Sequence, residues 1–263
     1  MAGGEVGDAI ILPLVQSDLH CGIEIRPRCQ IGKRLGTSVR RVVQVQAIDN
    51  ARGCSMPIEL HAYDTPNGRK ISVALEEMAL PYIVTIVDLG KGDQFDPEFL
   101  KISPNSKIPA IVDPDGPNGK PVSVFESGAI LIYLGEKTGK FWPRDLEARI
   151  PVLEWLMFQQ GGFGPIPGQV HHFLKVDNEG DRRYGLERYS KETRRLYSVM
   201  DRRLAAQEFF ADAPSIADFA ILGWAWRHPR HKVDLAEFPH VRRWYETMMA
   251  RPGVQRGFAV KLS

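Results

Sequence analysis

The chain has 263 residues, with 34 Lys and Arg against 32 Asp and Glu, a formal charge of +2. That balance argues against a nucleic-acid binder held by phosphate neutralisation, so no nucleic-acid partner is expected. No run approaches the roughly 18 apolar residues that a membrane-spanning helix needs, and no membrane association is expected either.

Residues 1–55 differ from the rest. They hold all three cysteines (Cys21, Cys29, Cys54) and seven basic against five acidic residues, and they lack Phe, Tyr and Trp, the first aromatic residue being Tyr63. The apolar run Ala9 to Val15 follows Glu5 and Asp8, where a secretory signal would carry positive charge. The cysteine spacings, even with His20 nearby, are unlike the usual zinc patterns, so no metal is expected. Without aromatic residues to anchor a core, residues 1–55 read as an extension that is disordered or not native, with Met56 as the expected biological start.

From Met56 onward there is no cysteine, which excludes a cysteine nucleophile, a Cys-x-x-Cys pair and a thiolate metal site in that part. Ile58 to Tyr63 alternates apolar and polar residues as a half-buried strand does, and Asp64-Thr-Pro-Asn-Gly68 breaks it. Apolar residues at helical spacing follow from Lys70 to Leu80. Tyr82 to Val87 is a β-branched strand, and Pro97 to Ile102 a helical turn. Lys107 to Val112 and Pro121 to Phe125 form a hairpin across Asp115 to Lys120, and Ser127 opens a helix closed by Thr138-Gly139.

Strand signals then cease. Helical periodicity covers Glu147 to Lys175, with a kink or break expected at Gly161-Gly162, Pro165 and Pro167, and then Tyr184 to Ala206. Ser215-Ile-Ala-Asp218 has the form of a capping box ahead of Phe219 to Trp226, and Val241 to Ala250 is a last helix stopped by Pro252-Gly253. The fold class is α/β plus all-α: a small sheet domain over 56–138, a linker at 139–147 and an all-helical domain over 148–263.

Three places in the sheet domain carry chemistry. Thr65 and Asn67 stand at a helix N-terminus, where backbone N–H groups and the dipole stabilise a thiolate brought in by a ligand; the same residues also make an ordinary turn and cap. Pro109 opens a strand. If its peptide bond is cis, Ile108 turns its N–H and C=O outward as a template for an extended peptide, although a trans proline there is commoner. Glu126 and Ser127 begin another helix, where the hydroxyl and N–H groups hold a carboxylate and Glu126 pairs with an ammonium group. Lys107 is placed to neutralise a second carboxylate, or else to solvate the surface. Together they suit a short peptide with an amino-carboxylate head, a central backbone and a terminal carboxylate, which is the form of glutathione.

Residues 56–258 resemble the cytosolic glutathione transferases, through Lys107-Ile-Pro-Ala110, Glu126-Ser-Gly-Ala129 and Ser215-Ile-Ala-Asp218. They most resemble the bacterial nu-class and fungal Ure2-like branch that includes disulfide-bond oxidoreductases. The motifs are Thr65-Pro-Asn-Gly68, Val87 to Phe95, Ile102-Ser-Pro-Asn105, Gly162-Phe-Gly-Pro165 and Gly168 to Phe173.

The resemblance implies a thioredoxin-like N-terminal domain followed by the helical transferase domain, a homodimer and a cytoplasmic location. It implies that Thr65 and Asn67 contact the glutathione sulfur, and that Ile108, after structural Pro109, binds the cysteinyl backbone. Glu126 and Ser127 would take the γ-glutamyl head, and Gln94 and Lys107 the glycine end or nearby backbone; Ser215 and Asp218 would be structural. The expected activity is reduction of small disulfides, or of peroxides, by bound glutathione, with no metal. Conjugation of electrophiles and a non-catalytic binding module are the alternatives. His171 and His172 are candidates to border the substrate cleft, although adjacent helical positions point apart. Arg188, Arg194 and Arg195 offer charge near a dimer interface or form a solvated face.

Overall fold

The computed structural model describes residues 42–44, as backbone, and 56–263. The expectations for 1–55 otherwise lie outside the described residues. Val42–Gln44 depart from the expected unstructured extension: they form strand β1, an antiparallel edge of the sheet.

The other strands are β2 (Ile58–Ala62), β3 (Tyr82–Ile86), β4 (Ala110–Asp113) and β5 (Val122–Phe125), in the order β1-β3-β2-β4-β5. Only β2 and β3 are parallel, joined through helix α1 (Pro66–Met78); β2 also pairs with β4, Leu60 opposite Ile111, and β4 with β5. As the central strand, β2 is buried on both faces. Its Leu60 and Ala62 are fully buried, and so, against simple alternation, is His61.

Helix α1 begins four residues before the periodicity that starts at Lys70. Thr65 is its N-cap, and Pro66 takes the first helical position, where a missing N–H costs nothing. A single turn, α2 (Pro97–Leu100), precedes the cavity loop, and α3 (Ser127–Thr138) ends at Gly139. The helical part contains α4 (Leu146–Phe158), α5 (Pro165–Phe173), α6 (Glu179–Ala206), α7 (Ile216–Ala225), α8 (Pro239–Met249) and α9 (Pro252–Ala259).

Of the kink or break expected at Gly161-Gly162, the structure has an irregular helical turn, the π-helical Gln159–Phe163, and no loss of helix. One reading needs correction. Pro252-Gly253 ends α8 but also starts α9, with proline again in the first turn. That ninth helix has a packing role: a Cβ on Gly257 would lie 2.5 Å from Val73 Cα, so only glycine lets α9 approach α1 this closely.

α1 packs against α3, α7 and α9 and joins the two halves. Polar contacts fix the seam. Arg69 donates to the carbonyls of Phe258 (3.0 Å) and Val260 (2.7 Å), satisfying backbone acceptors at the C-terminal end of α9. Glu77 accepts from Arg251 and from the Val254 N–H, and Glu76 accepts from Arg256 and Tyr82. Among the described residues, no helix is long and apolar enough to cross a membrane.

Candidate functional site

A cavity of about 200 Å³ opens where the start of α1, the loop before β4 and the start of α3 converge. Its walls include Asn67, Lys107, Ile108, Pro109, Glu126 and Ser127, so six of the sequence candidates meet at one place. Ile108-Pro109 is a cis peptide bond, the rarer of the two forms weighed. The loop before it is held by Ser103, whose buried hydroxyl donates to the Lys107 carbonyl at 2.7 Å.

Thr65 lies two residues from Asn67 at the same helix end. Its Oγ1 accepts the Gly68 N–H at 3.1 Å, which leaves the hydroxyl proton free to donate elsewhere. Asn67 is oriented from the helical domain: its Oδ1 accepts the indole N–H of Trp224 on α7 at 2.9 Å, so the amide N–H₂ remains for the site. Glu126, the residue before α3, has φ 67° and ψ 117°, a positive φ in a non-glycine residue. Such backbone strain, about 1–3 kcal/mol, concentrates at ligand clamps and active sites.

Gln94 lies apart from the cavity walls, in the turn Asp93–Phe95, and its Oε1 is buried without a hydrogen-bond partner. His171 turns inward and stacks on Trp224 (ring centroids 5.9 Å apart) and on His231 (4.9 Å), whereas His172 is exposed. Burial, with nearby cations, lowers the pKa of His171 to about 4, and burial, with repulsion between the imidazoles when both are charged and from Arg227 and Arg230, lowers that of His231 to about 3. Both are neutral at pH 7, and the stack supports the indole that holds Asn67. Arg188 and Arg195 border a separate groove of about 540 Å³ between α5 and α6; Arg195 pairs with Glu192, and Arg194 with Glu237. Ser215 and Asp218 form a complete capping box on α7.

Four residues at or behind the site were not singled out in the sequence. Trp224 is one. Lys70, on α1, donates to Ser127 Oγ at 3.1 Å and to Gln159 Oε1 at 2.6 Å, and Gln160 Nε2 reaches Ser127 Oγ at 3.4 Å. The available signal was a lysine inside an otherwise apolar helical stripe and paired glutamines just before a glycine break. Neither signal points to a cavity until the π turn brings both amides back toward α3.

Residues 65–137 match the family model for the glutathione S-transferase N-terminal domain, and residues 165–252 that for the C-terminal domain. The chain belongs to the glutathione S-transferase family. This transferase is 49% identical over 199 residues to the disulfide-bond oxidoreductase YfcG of Escherichia coli (strain K12), covering 74% of this chain and 91% of the relative. It is 37% identical to the disulfide-bond oxidoreductase YghU of the same organism, covering 76% and 74%. Among solved structures, it is similar to a glutathione transferase from Pseudomonas putida with one glutathione disulfide bound per subunit. The TM-score is 0.72 at 41% identity, covering 78% of this chain and 91% of that one. A family member from Pseudomonas fluorescens, with two glutathione bound, gives a TM-score of 0.72 at 44% identity, covering 76% and 91%. The transferase fold joins a thioredoxin-like sheet domain to the helical domain.

Proposed function

We propose that this transferase is a glutathione-dependent disulfide-bond oxidoreductase acting on small disulfides. The observation that carries the reading is the gathering of Asn67, Ile108, Glu126 and Ser127 around one cavity in a sheet domain whose residues from Met56 onward include no cysteine. The reacting sulfurs then come from ligands. Names of similar proteins support the same reading: two are disulfide-bond oxidoreductases, and solved relatives hold glutathione or its disulfide.

In this reading the Thr65 hydroxyl and the Asn67 amide donate to the glutathione sulfur, aided by the N-terminus of α1. A thiol of pKa about 8.5 is only a few per cent ionised at neutral pH, so a lowering of one to two units raises the thiolate fraction about eight- to twenty-five-fold. Thr65 stabilises the thiolate and forms no covalent bond. Ile108 pairs with the cysteinyl backbone, Glu126 with the γ-glutamyl ammonium, Ser127 with the adjoining carboxylate, and Lys107 with the glycine end, to which Gln94 contributes from its turn.

The glutathione thiolate attacks one sulfur of the substrate disulfide. A sulfur–sulfur bond forms as the substrate bond breaks, and the leaving thiolate takes a proton from water. A second glutathione thiolate attacks the mixed disulfide, releasing the other substrate thiol and glutathione disulfide. Two electrons pass from two glutathiones to one disulfide.

A homodimer is part of the proposal, supported by exposed Leu146, Ile150 and Met157, which recur at helical spacing along α4. So is a cytoplasmic location, where a reduced thiol pool is maintained. Paired assays with glutathione test the activity. Rapid reduction of a small disulfide with slow conjugation of an aryl halide is expected; strong conjugation without disulfide reduction contradicts it.

A further inference from the structure

Lys70 occupies a position where packing calls for an apolar side chain. It is 1% exposed, on a helix whose neighbouring residues are buried against both halves of the protein. α7 crosses it so closely that a Cβ on Gly223 would stand 2.6 Å from Lys70 Cγ. Burying an ammonium in such packing is costly unless other groups compensate it. The compensation is specific: Gln159 Oε1 at 2.6 Å and Ser127 Oγ at 3.1 Å, from the π turn and from the start of α3.

This arrangement constrains Ser127. A hydroxyl oxygen has two lone pairs and one proton. One lone pair receives Lys70 Nζ and the other Gln160 Nε2, at 3.4 Å. The proton is left, and the cavity that Ser127 lines is open to it.

We propose that Lys70 is a positioning residue of the carboxylate subsite: in its charged form it fixes Ser127 as a donor to the ligand's head carboxylate and places positive charge beneath it. The inference rests on the glutathione reading above. A neutral Lys70 amine would have a lone pair of its own, the Ser127 proton would turn inward to it, and the donor would be withdrawn from the ligand.

Protonation of Lys70 and carboxylate binding are therefore linked. Burial lowers the Lys70 pKa to about 7, with Glu126 opposing the shift. The other charges on neighbouring elements are engaged elsewhere: Arg256 and Arg251, at α9, pair with Glu76 and Glu77, and Lys137 of α3 pairs with Asp113. Asp218 of α7 is bound in its capping box, Arg69 of α1 pairs with Asp64, Glu136 and Lys137 close the far end of α3, and the π turn has no titratable residue. The anion favours the charged form, so affinity for the head carboxylate falls as pH rises through about 7.

The test is calorimetry with S-methylglutathione, whose thiol cannot titrate, and with the same S-methyl peptide carrying γ-aminobutyrate in place of γ-glutamate. The second peptide keeps the head amine and lacks the head carboxylate. In the wild-type protein, the preference for the first peptide is expected to fall about tenfold between about pH 6 and about pH 8. In Lys70→Met the preference is expected to be smaller and independent of pH. A wild-type preference that does not change with pH overturns the role of Lys70, as does an unchanged pH dependence in Lys70→Met. The wild-type comparison decides the matter alone if the variant does not fold. Binding of neither peptide at any pH would overturn the glutathione reading itself, whereas binding of both with a flat ratio overturns only the role of Lys70.

Discussion

Replacing Thr65 and Asn67 together by alanine is expected to lower glutathione-dependent disulfide reduction at pH 7 by about eight- to twenty-five-fold. The two residues stand at one end of α1, and each retains an unused donor: the Thr65 hydroxyl proton after Oγ1 has accepted Gly68 N–H, and the Asn67 amide after Oδ1 has accepted the Trp224 indole. Hydrogen bonds to a charged group are worth about 1.5–3 kcal/mol each. Without them the bound thiol returns toward its ordinary pKa and most of the thiolate is lost. Thr65 is also an N-cap, so alanine there costs about 1 kcal/mol of stability. Thr65→Ser keeps both the cap and the donor and should retain most activity. Steady-state rates with a small disulfide, beside thermal melts of each variant, separate the two effects. Full activity in the double variant would remove the thiolate site from the mechanism.

The largest stability effect is expected at Asp218. Its carboxylate is completely buried and accepts four hydrogen bonds: Ser215 N–H (2.9 Å), Ser215 hydroxyl (2.8 Å), the Trp244 indole (2.9 Å) and Phe210 N–H (3.3 Å). Burial pushes its pKa up, and these donors act in the opposite direction. Asp218→Ala leaves donors from α8, the N-cap of α7 and the segment before it without an acceptor, each costing about 1–3 kcal/mol before water or local movement relieves part of it. A net loss of about 3–5 kcal/mol is expected in urea unfolding. Asp218→Asn keeps the shape but replaces one acceptor oxygen by an N–H₂ among partners of which only the Ser215 hydroxyl can accept, and should fall between alanine and wild type. A loss below about 1 kcal/mol for alanine would mean that the box contributes little beyond its local turn.

Much of this architecture was legible because local chemistry and tertiary structure agree. The Ser215-to-Asp218 spacing became a real capping box, whereas the strand expected from Lys107 begins only at Ala110, which leaves Lys107, Ile108 and Pro109 in the loop that lines the cavity. Asn67, Ile108, Glu126 and Ser127, far apart in the chain, share a cavity because β4, α1 and α3 are adjacent in the fold. What was not legible depends on contacts between halves. Nothing local to Trp224 says that its indole will reach Asn67, 157 residues away. Lys70 reads as a solvated charge until α7 and the π turn enclose it. Proline misled once: Pro252, read as the stop of the last helix, also begins α9, because the first turn does not need its missing N–H group.

The central claim is that the N-terminus of α1 stabilises a ligand's thiolate. The most direct measurement is the ultraviolet thiolate absorbance of glutathione bound to the wild-type protein, followed through pH. An ionisation midpoint about one to two units below the free thiol's value near 8.5 is the expected result. A midpoint equal to that of free glutathione, with the ligand demonstrably bound, would contradict it.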